Sequence, residues 1–338
     1  MKKALLLVNV GTPDAPEKKA VKAYLNEFLN DPLVIDIPQP ARSLLVNGII
    51  IPFRVSNSTS LYKRLWTQDG SPLLIYLESL VDQLNRQLDS SFHAFGGMRY
   101  GNPSLKSQLE TIQQGGFKEL VVFPLYPQYA TSTTESVRKE IDRLLRQMNY
   151  APKLSFIDQY YDHPEFIARF AEKIQAYNPA DYDHVVFSYH GLPNRQVEKL
   201  HPGIKLESCT CTIELPEHGS YCYHATVYQT TRLLAKALGL KAERYSVSFQ
   251  SRLSRNWLKP FTDETLLRLL SEGKKRILIA APAFTADCLE TIIELGHEYA
   301  EVFLEAGGEK LQLVESLNDS SDWAASILSI VNDLSNMQ

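Results

Sequence analysis

Twice in this chain an apolar run ends in a Gly-x-Pro turn, and a chain so built is constrained to repeat one α/β unit. Ala4 to Val10 runs into Gly11-Thr12-Pro13, and Val185 to His190 runs into Gly191-Leu192-Pro193. The second copy carries a histidine where the first has Val10. A second pair repeats the theme. Leu120 to Pro124 leads through a loop into a helix-like stretch from Ser132 to Met148, and Ile277 to Pro282 leads into Asp287-Cys288-Leu289-Glu290. The expected fold is α/β, with two similar Rossmann-like halves of parallel sheet flanked by helices. Reactive groups concentrate in the second half, and such folds bind ligands outside the carboxyl ends of their strands.

The rest of the chain supports this reading by alternation of short apolar runs with helical periodicity, the mark of βαβ units. Further strands are expected at 92–96, 119–124, 153–158, 184–189, 244–249 and 276–281. Helices are expected at 18–29, 73–88, 105–114, 132–148, 164–177, 223–238, 264–272, 286–305 and 322–334. A length of 338 residues suits two domains. With no low-complexity linker, the boundary is placed near Ala151-Pro152. The first half is then 1–152, completed by a C-terminal helix at 320–338 that crosses back to it, and the second is 153–319.

Composition excludes several classes. A net charge of -4 gives no basic stripe for nucleic acid. Four cysteines in a chain this long do not form a disulfide scaffold, and no apolar run approaches the ~20 residues that span a bilayer. Lys2-Lys3 precedes an apolar run, but Asn9, Gly11 and Pro13 interrupt it as they would not a signal peptide. A reducing cytoplasm is the default expectation. One segment resists the alternation. Ser43 to Phe53 is almost continuously apolar, holds Gly48 and Pro52, and is poorly suited to a long helix. It reads either as a buried connector or as an apolar lip, about 43–54, over a flat ligand or against a membrane surface.

Few residues carry chemistry. His190 stands at a strand end before a glycine, where an imidazole takes a proton near neutral pH. Asp287, Glu290 and Glu294, at i, i+3 and i+7, would share one helix face, and the flanking Leu289, Ile292 and Ile293 imply that part of that face is buried. Buried carboxylates without cations have raised pKa values and make proton relays or metal ligands. Arg99-Tyr100 suits either a carboxylate ligand or a structural ion pair. Tyr126 to Glu135 places aromatics and hydroxyls in a strand-to-helix loop, with Thr-x-x-Glu and Ser-x-x-Glu options for a capping box. No G-x-G-x-x-G and no P-loop is present.

At these residues the chain resembles the ferrochelatases. The blocks that carry the likeness are Leu7 to Pro13, Gly70-Ser71-Pro72-Leu73, Met98-Arg99-Tyr100, Tyr126 to Tyr129 with Ser132-Thr133-Thr134, Ser188 to Pro193, Phe249 to Arg252 with Trp257-Leu258, and Ala283 to Thr291. They run in order from Lys3 to about Val331 and look closest to the protoporphyrin-type enzymes of Gram-negative bacteria. The resemblance implies insertion of Fe²⁺ into protoporphyrin IX, a lyase reaction ending haem synthesis, in a cleft between the halves. A coproporphyrin or other tetrapyrrole chelatase and a non-catalytic porphyrin carrier are the alternatives.

Carried over, His190 and Glu290 are the catalytic and metal-binding pair, and Asp287 and Glu294 extend the proton or metal path. Ser71 and Arg99 address a propionate, and Tyr126 and Trp257 line the macrocycle. Tyr100, Ser132, Thr133, Ile49 and Ile51 complete the porphyrin-binding set. Fe²⁺ is a substrate and no cofactor is required. The chain is expected to be a monomer or homodimer, cytoplasmic, with peripheral contact to the inner membrane, and to bind no nucleic acid.

The stretch after the histidine block departs from the simplest bacterial forms. Some relatives hold a [2Fe-2S] cluster on four internal cysteines, and Cys209, Cys211 and Cys222 supply only three. His201, His218 or His224 would complete a cluster or zinc site, but the expectation is a remnant without bound metal. A helix starting near Cys222 would favour its thiolate, and a Cys209–Cys222 disulfide is conceivable in air-exposed protein.

Overall fold

The computed structural model describes residues 2–201 and 203–335. Among the described residues eight strands are formed: β1 (Lys3–Thr12), β2 (Phe92–Gly101), β3 (Glu119–Pro124), β4 (Lys153–Phe156), β5 (His184–His190), β6 (Tyr245–Gln250), β7 (Arg276–Ala280) and β8 (Lys310–Leu313). They build two four-stranded sheets in the orders β2-β1-β3-β4 and β6-β5-β7-β8. Every pairing is parallel. The two orders are the same order, so the repeated strand-turn pattern of the sequence marks a repeated sheet. β1 is central in its sheet, which is why Ala4 to Val8 are fully buried and read as one apolar run.

The chain divides into two compact units. Unit 1 takes residues up to Tyr126, Ala130–Gln159 and the segment from Asn318 on; unit 2 takes Pro127–Tyr129 and Tyr160–Leu317. The boundary expected at 152 is thus too early. β4 pairs with β3, Glu119 opposite Lys153, and so finishes the first sheet. The C-terminal helix, Ser321–Ser335, lies in unit 1 and buries Trp323, Ile327, Ile330 and Val331. Gln87 Nε2 donates to Ser321 O at 3.1 Å. Residues 336–338 of the expected helix lie outside the described residues.

In unit 1, β3 packs Leu120 and Val122 against Leu105, Leu109, Ile112, Val137, Ile141 and Leu144 of the flanking helices. In unit 2, Val186, Ile277 and Ile279 pack with Leu266, Leu269, Leu295 and Phe303. Gly11 is required by close approach: its φ is +122°, and a Cβ there would lie 1.9 Å from Tyr100 O on the neighbouring strand.

Three expectations are corrected. Segment 43–53 is helical throughout, as Gln39–Leu45, a π-helical turn Val46–Ile50 and a helix Ile51–Leu65. Pro52 lies where the hydrogen-bond register passes from the π-helical turn into the last of these helices. The helices expected at 132–148 and 286–305 begin as π-helices, Thr131–Glu135 and Leu289–Glu298, before continuing as α-helix. β8 was not anticipated, because its Lys310-Leu-Gln-Leu is short and mixed.

Candidate active site

The three π-helical segments fall on residues singled out in the sequence: Ile49, the Ser132-Thr133 pair, and Glu290 with Glu294. π-Helix is rare, well under about 1% of residues, and gathers at functional sites, so this coincidence is itself a signal.

In unit 2, β5 ends on His190, whose partner in β6 is Gln250. Gly191 N extends the ladder to Gln250 O at 2.8 Å. A Cβ at Gly191 would lie 2.8 Å from Gln250 O and 3.2 Å from the Trp257 ring, so only glycine lets the chain turn beside the histidine. His190 Nδ1 is 2.7 Å from Gly191 O. A carbonyl only accepts, so the neutral imidazole donates from Nδ1 and keeps the Nε2 lone pair. The half-buried ring lies 6.4 Å from Trp257 and 6.3 Å from Phe284, centroid to centroid. Tyr223 Oη donates to His190 O at 2.9 Å and fixes the backbone from below.

The acidic group follows β7. Cys288 caps the π-helix, its backbone N–H donating to Thr291 Oγ1 at 2.9 Å. Its thiol donates to Glu290 Oε2 at 3.2 Å. Burial, then the adjacent Glu290, holds that thiol well above its usual range, so it remains a donor. Glu294 is held by Ser251 through N at 2.8 Å and through Oγ, and by Tyr299 Oη at 2.8 Å. Burial raises the Glu294 pKa; the Ser251 and Tyr299 hydrogen bonds and the neighbouring His190 oppose this, Glu290 adds to it, and the net shift is upward. His190, Glu290 and Glu294 therefore act on one another electrostatically.

Asp287 does not share their helix face. It precedes the N-cap, is buried, and accepts from Ser316 N, in the irregular segment after β8, at 3.3 and 3.2 Å. Sequence reasoning missed Ser251 and Tyr299. Ser251 has φ of +61°, a left-handed conformation rare for serine, which turns both of its donors onto Glu294. Its position right after the Phe249-Gln250 strand end was the available signal.

Several unit 1 assignments change. Asp31 accepts from Arg99 Nη2 at 2.7 Å, Tyr100 Oη at 2.8 Å, Ser136 Oγ at 2.6 Å and Leu33 N at 2.7 Å. Arg99 Nε also donates to Ser136 Oγ at 2.8 Å. Burial alone would raise the Asp31 pKa, but Ser136, Leu33, Tyr100 and Arg99 outweigh it and the net shift is downward. Arg99 thus makes a structural ion pair through Nη2 and Nε, and Tyr100 is a buried member of the same network. Ser71, 1% exposed, is bonded to Thr12 Oγ1 at 2.8 Å and is likewise committed within the fold.

Ser132 and Thr133 are half-buried on their π-helix, with no side-chain cap at its start, so the expected capping box does not form. Thr133 Oγ1 instead donates back to Ala130 O at 3.4 Å. The Tyr126 hydroxyl is buried and has no hydrogen-bond partner among the described residues. In the 43–54 segment, Leu44, Ile49 and Phe53 are exposed at 73, 52 and 83%, whereas Ile51 is 1% exposed. Ile51 belongs to the core of the protein.

The cysteine stretch is held differently than expected. Cys209 and Cys211 are joined by a disulfide, not Cys209 and Cys222. Cys222 caps the helix Tyr223–Ala237, accepting from Ala225 N at 3.4 Å, yet burial outweighs that bond and pushes its thiol up to about 11. The expected thiolate is therefore not favoured by the helix terminus alone.

Comparison with known proteins agrees with this architecture. The family profile described as Ferrochelatase matches residues 2–334. The chain belongs to the ferrochelatase family. A ferrochelatase of Coxiella burnetii is 39% identical over 329 residues, covering 96% of this chain and 91% of that protein. One from Ectopseudomonas mendocina is 40% identical over 328 residues, covering 96% of each. Among solved structures, SirB from Bacillus subtilis with Fe³⁺ superposes with a TM-score of 0.55 over 99% of this chain and 96% of that one, at 13% identity. That likeness shows the chelatase fold. The chain is accordingly an enzyme that inserts metal into porphyrin, with the metal as substrate. Among the described residues no helix is long and apolar enough to cross a membrane.

Proposed function

We propose that unit 2 carries the chemistry of ferrous iron insertion into protoporphyrin IX, with His190 as the base. Two pyrrole N–H protons must leave before a divalent ion can sit among four nitrogens, and the acceptor must have a free lone pair near neutral pH. The hydrogen bond from His190 Nδ1 to Gly191 O is the observation that carries this reading, because it reserves Nε2 for that proton. Glu290 and Glu294 take the proton onward. Glu294 suits the step because its raised pKa lets it bind and release a proton at milder pH than an exposed carboxylate does. Imidazole with carboxylate also suits transient Fe²⁺, which thiolates would retain. Asp287 has a supporting place, anchoring the start of the acidic helix.

Trp257 beside His190 supplies an aromatic wall for a flat macrocycle. On unit 1, Tyr126, Ser132, Thr133 and Ile49 remain as porphyrin contacts, and the exposed Leu44, Ile49 and Phe53 suit peripheral contact with a lipid surface. His190→Ala should lower haem formation by ~10²–10⁴ while porphyrin binding, read by fluorescence quenching, is retained. Wild-type turnover in that variant would end the assignment.

A further inference from the structure

A second group of donors, which metal insertion does not use, lies in unit 2 between β5 and the helix Tyr223–Ala237. Among the described residues this stretch has only short helices, Asn194–Glu198, Leu206–Ser208, Thr210–Thr212 and Glu217–Gly219. It nonetheless buries His201 to 2% exposure and Cys211 and Cys222 to 0%. His201 Nε2 lies 2.6 Å from Cys222 Sγ and 3.8 Å from Cys211 Sγ. The ligand atoms of these three residues all lie within 4.8 Å of one another, as do those of His201, Cys209 and His218. Cys209 Sγ, bonded to Cys211 Sγ, stands 3.4 Å from His218 Nε2.

Thiols and imidazole are weak mutual hydrogen-bond partners, so burying them together returns little of their desolvation cost. A cation at their centre would return it. Three sulfurs and one imidazole form a standard tetrahedral donor set for zinc, at about 2.3 Å for sulfur and 2.0–2.1 Å for nitrogen. A two-iron cluster would need two protein ligands on each iron, whereas here one imidazole, His201, belongs to both close groups of ligand atoms.

We propose that the reduced protein binds one zinc-class ion on His201 Nε2 and the sulfurs of Cys209, Cys211 and Cys222. The Cys209–Cys211 disulfide must first be opened by a reductant, taking up two electrons and two protons. Three thiols then give their protons to water as the ion takes three thiolates and one neutral imidazole. His218 is a positioning residue that orients Cys209. Such a soft, closed set retains its ion, in contrast to the His190–Glu290 site, which must pass its ion on. The ion would tie the irregular stretch to the start of the helix Tyr223–Ala237.

The test uses the full chain purified without oxygen in a phosphine reductant. Metal analysis should find one zinc per chain, and cobalt added to metal-free protein should give thiolate charge-transfer and tetrahedral ligand-field bands. Cys211→Ser and Cys222→Ser should lose both. His218→Ala should keep the stoichiometry with ~10–100-fold weaker binding. If the cysteine variants fail to fold, the cobalt spectrum of the unaltered protein decides alone. Substoichiometric zinc without cobalt bands, or iron with matching sulfide, would overturn the proposal. Zinc lost in His190→Ala but kept in the cysteine variants would place the ion elsewhere and do the same. Complete loss in His218→Ala would overturn the choice of Cys209 as ligand.

Discussion

Unit 1 and unit 2 follow one plan, and each keeps a hydrogen-bonded carboxylate, Asp31 buried in the first and Glu294 half-buried in the second. Their carboxylates behave oppositely. Asp31 meets a guanidinium, two hydroxyls and a backbone N–H, and its pKa falls. Glu294 meets Ser251 and Tyr299, with a second carboxylate rather than an arginine nearby, and its pKa rises. In both units the segment after the third strand starts as π-helix, but it carries Thr131 to Glu135 in one and Glu290 with Glu294 in the other. The repeated fold therefore supplies equivalent positions. Under the proposed function, an arginine beside Asp31 and none beside Glu294 separates an acid that holds the fold from one that carries a proton.

The largest expected effects would break this comparison directly. Asp31→Ala leaves Arg99 buried without its partner and should cost about 3–5 kcal/mol in urea unfolding. Glu294→Gln should leave unfolding stability near neutral pH unchanged or higher, while haem formation falls by ~10² or more. Equal stability losses in the two variants would erase the distinction between a structural and a catalytic acid.

The helical lip sharpens the same contrast within unit 1. Ile51→Ala should cost about 2–5 kcal/mol, as deletion of a buried isoleucine does. Phe53→Ala, at an exposed position two residues on, should stay within about 0.5 kcal/mol and lower only association with lipid vesicles. A large unfolding penalty at Phe53 would make the lip part of the core.

The acidic pH range should separate the two carboxylates by sign. Asp31 has a folded pKa below its ordinary 3.8, so its contribution is present above that value and is lost as pH falls through the depressed one. Glu294 has a folded pKa above its ordinary 4.5, so its contribution is present below 4.5 and is lost as pH rises through the raised one. The melting-temperature gap between wild type and Asp31→Asn should narrow on acidification. Against Glu294→Gln, whose amide mimics the protonated acid, wild type should match the variant at low pH and fall behind it in melting temperature as pH rises. Parallel trends would refute one of the two assignments.

Much of this was legible in the sequence because strands at the centre of a parallel sheet leave long apolar runs. The Gly-x-Pro turns located both units, and His190 stood out against Val10. The π-helices were not legible, because a change of hydrogen-bond register leaves the apolar spacing nearly intact. Neither was the division between Ile49 and Ile51, adjacent in composition but on opposite sides of a helix. Asp31 carried no mark at all. Its partners Arg99, Tyr100 and Ser136 lie far along the chain, and without them Arg99 looked available for a ligand.

The smallest effect concerns two tyrosines of unit 1 that differ in what their hydroxyls meet. Tyr100 Oη is bonded to Asp31 and Ser136, whereas Tyr126 Oη is buried with no hydrogen-bond partner among the described residues. Tyr100→Phe should cost about 1–3 kcal/mol, since it leaves a charged acceptor one donor short. Tyr126→Phe removes a hydroxyl that gains nothing in the free protein, so stability should hold or rise by up to about 1 kcal/mol. If that hydroxyl meets the porphyrin, the same variant should bind porphyrin more weakly without any loss of melting temperature. A Tyr126→Phe protein that loses stability instead would show that the hydroxyl already has a structural partner, and Tyr126 would join Arg99, Tyr100 and Ser71 among residues committed to the fold.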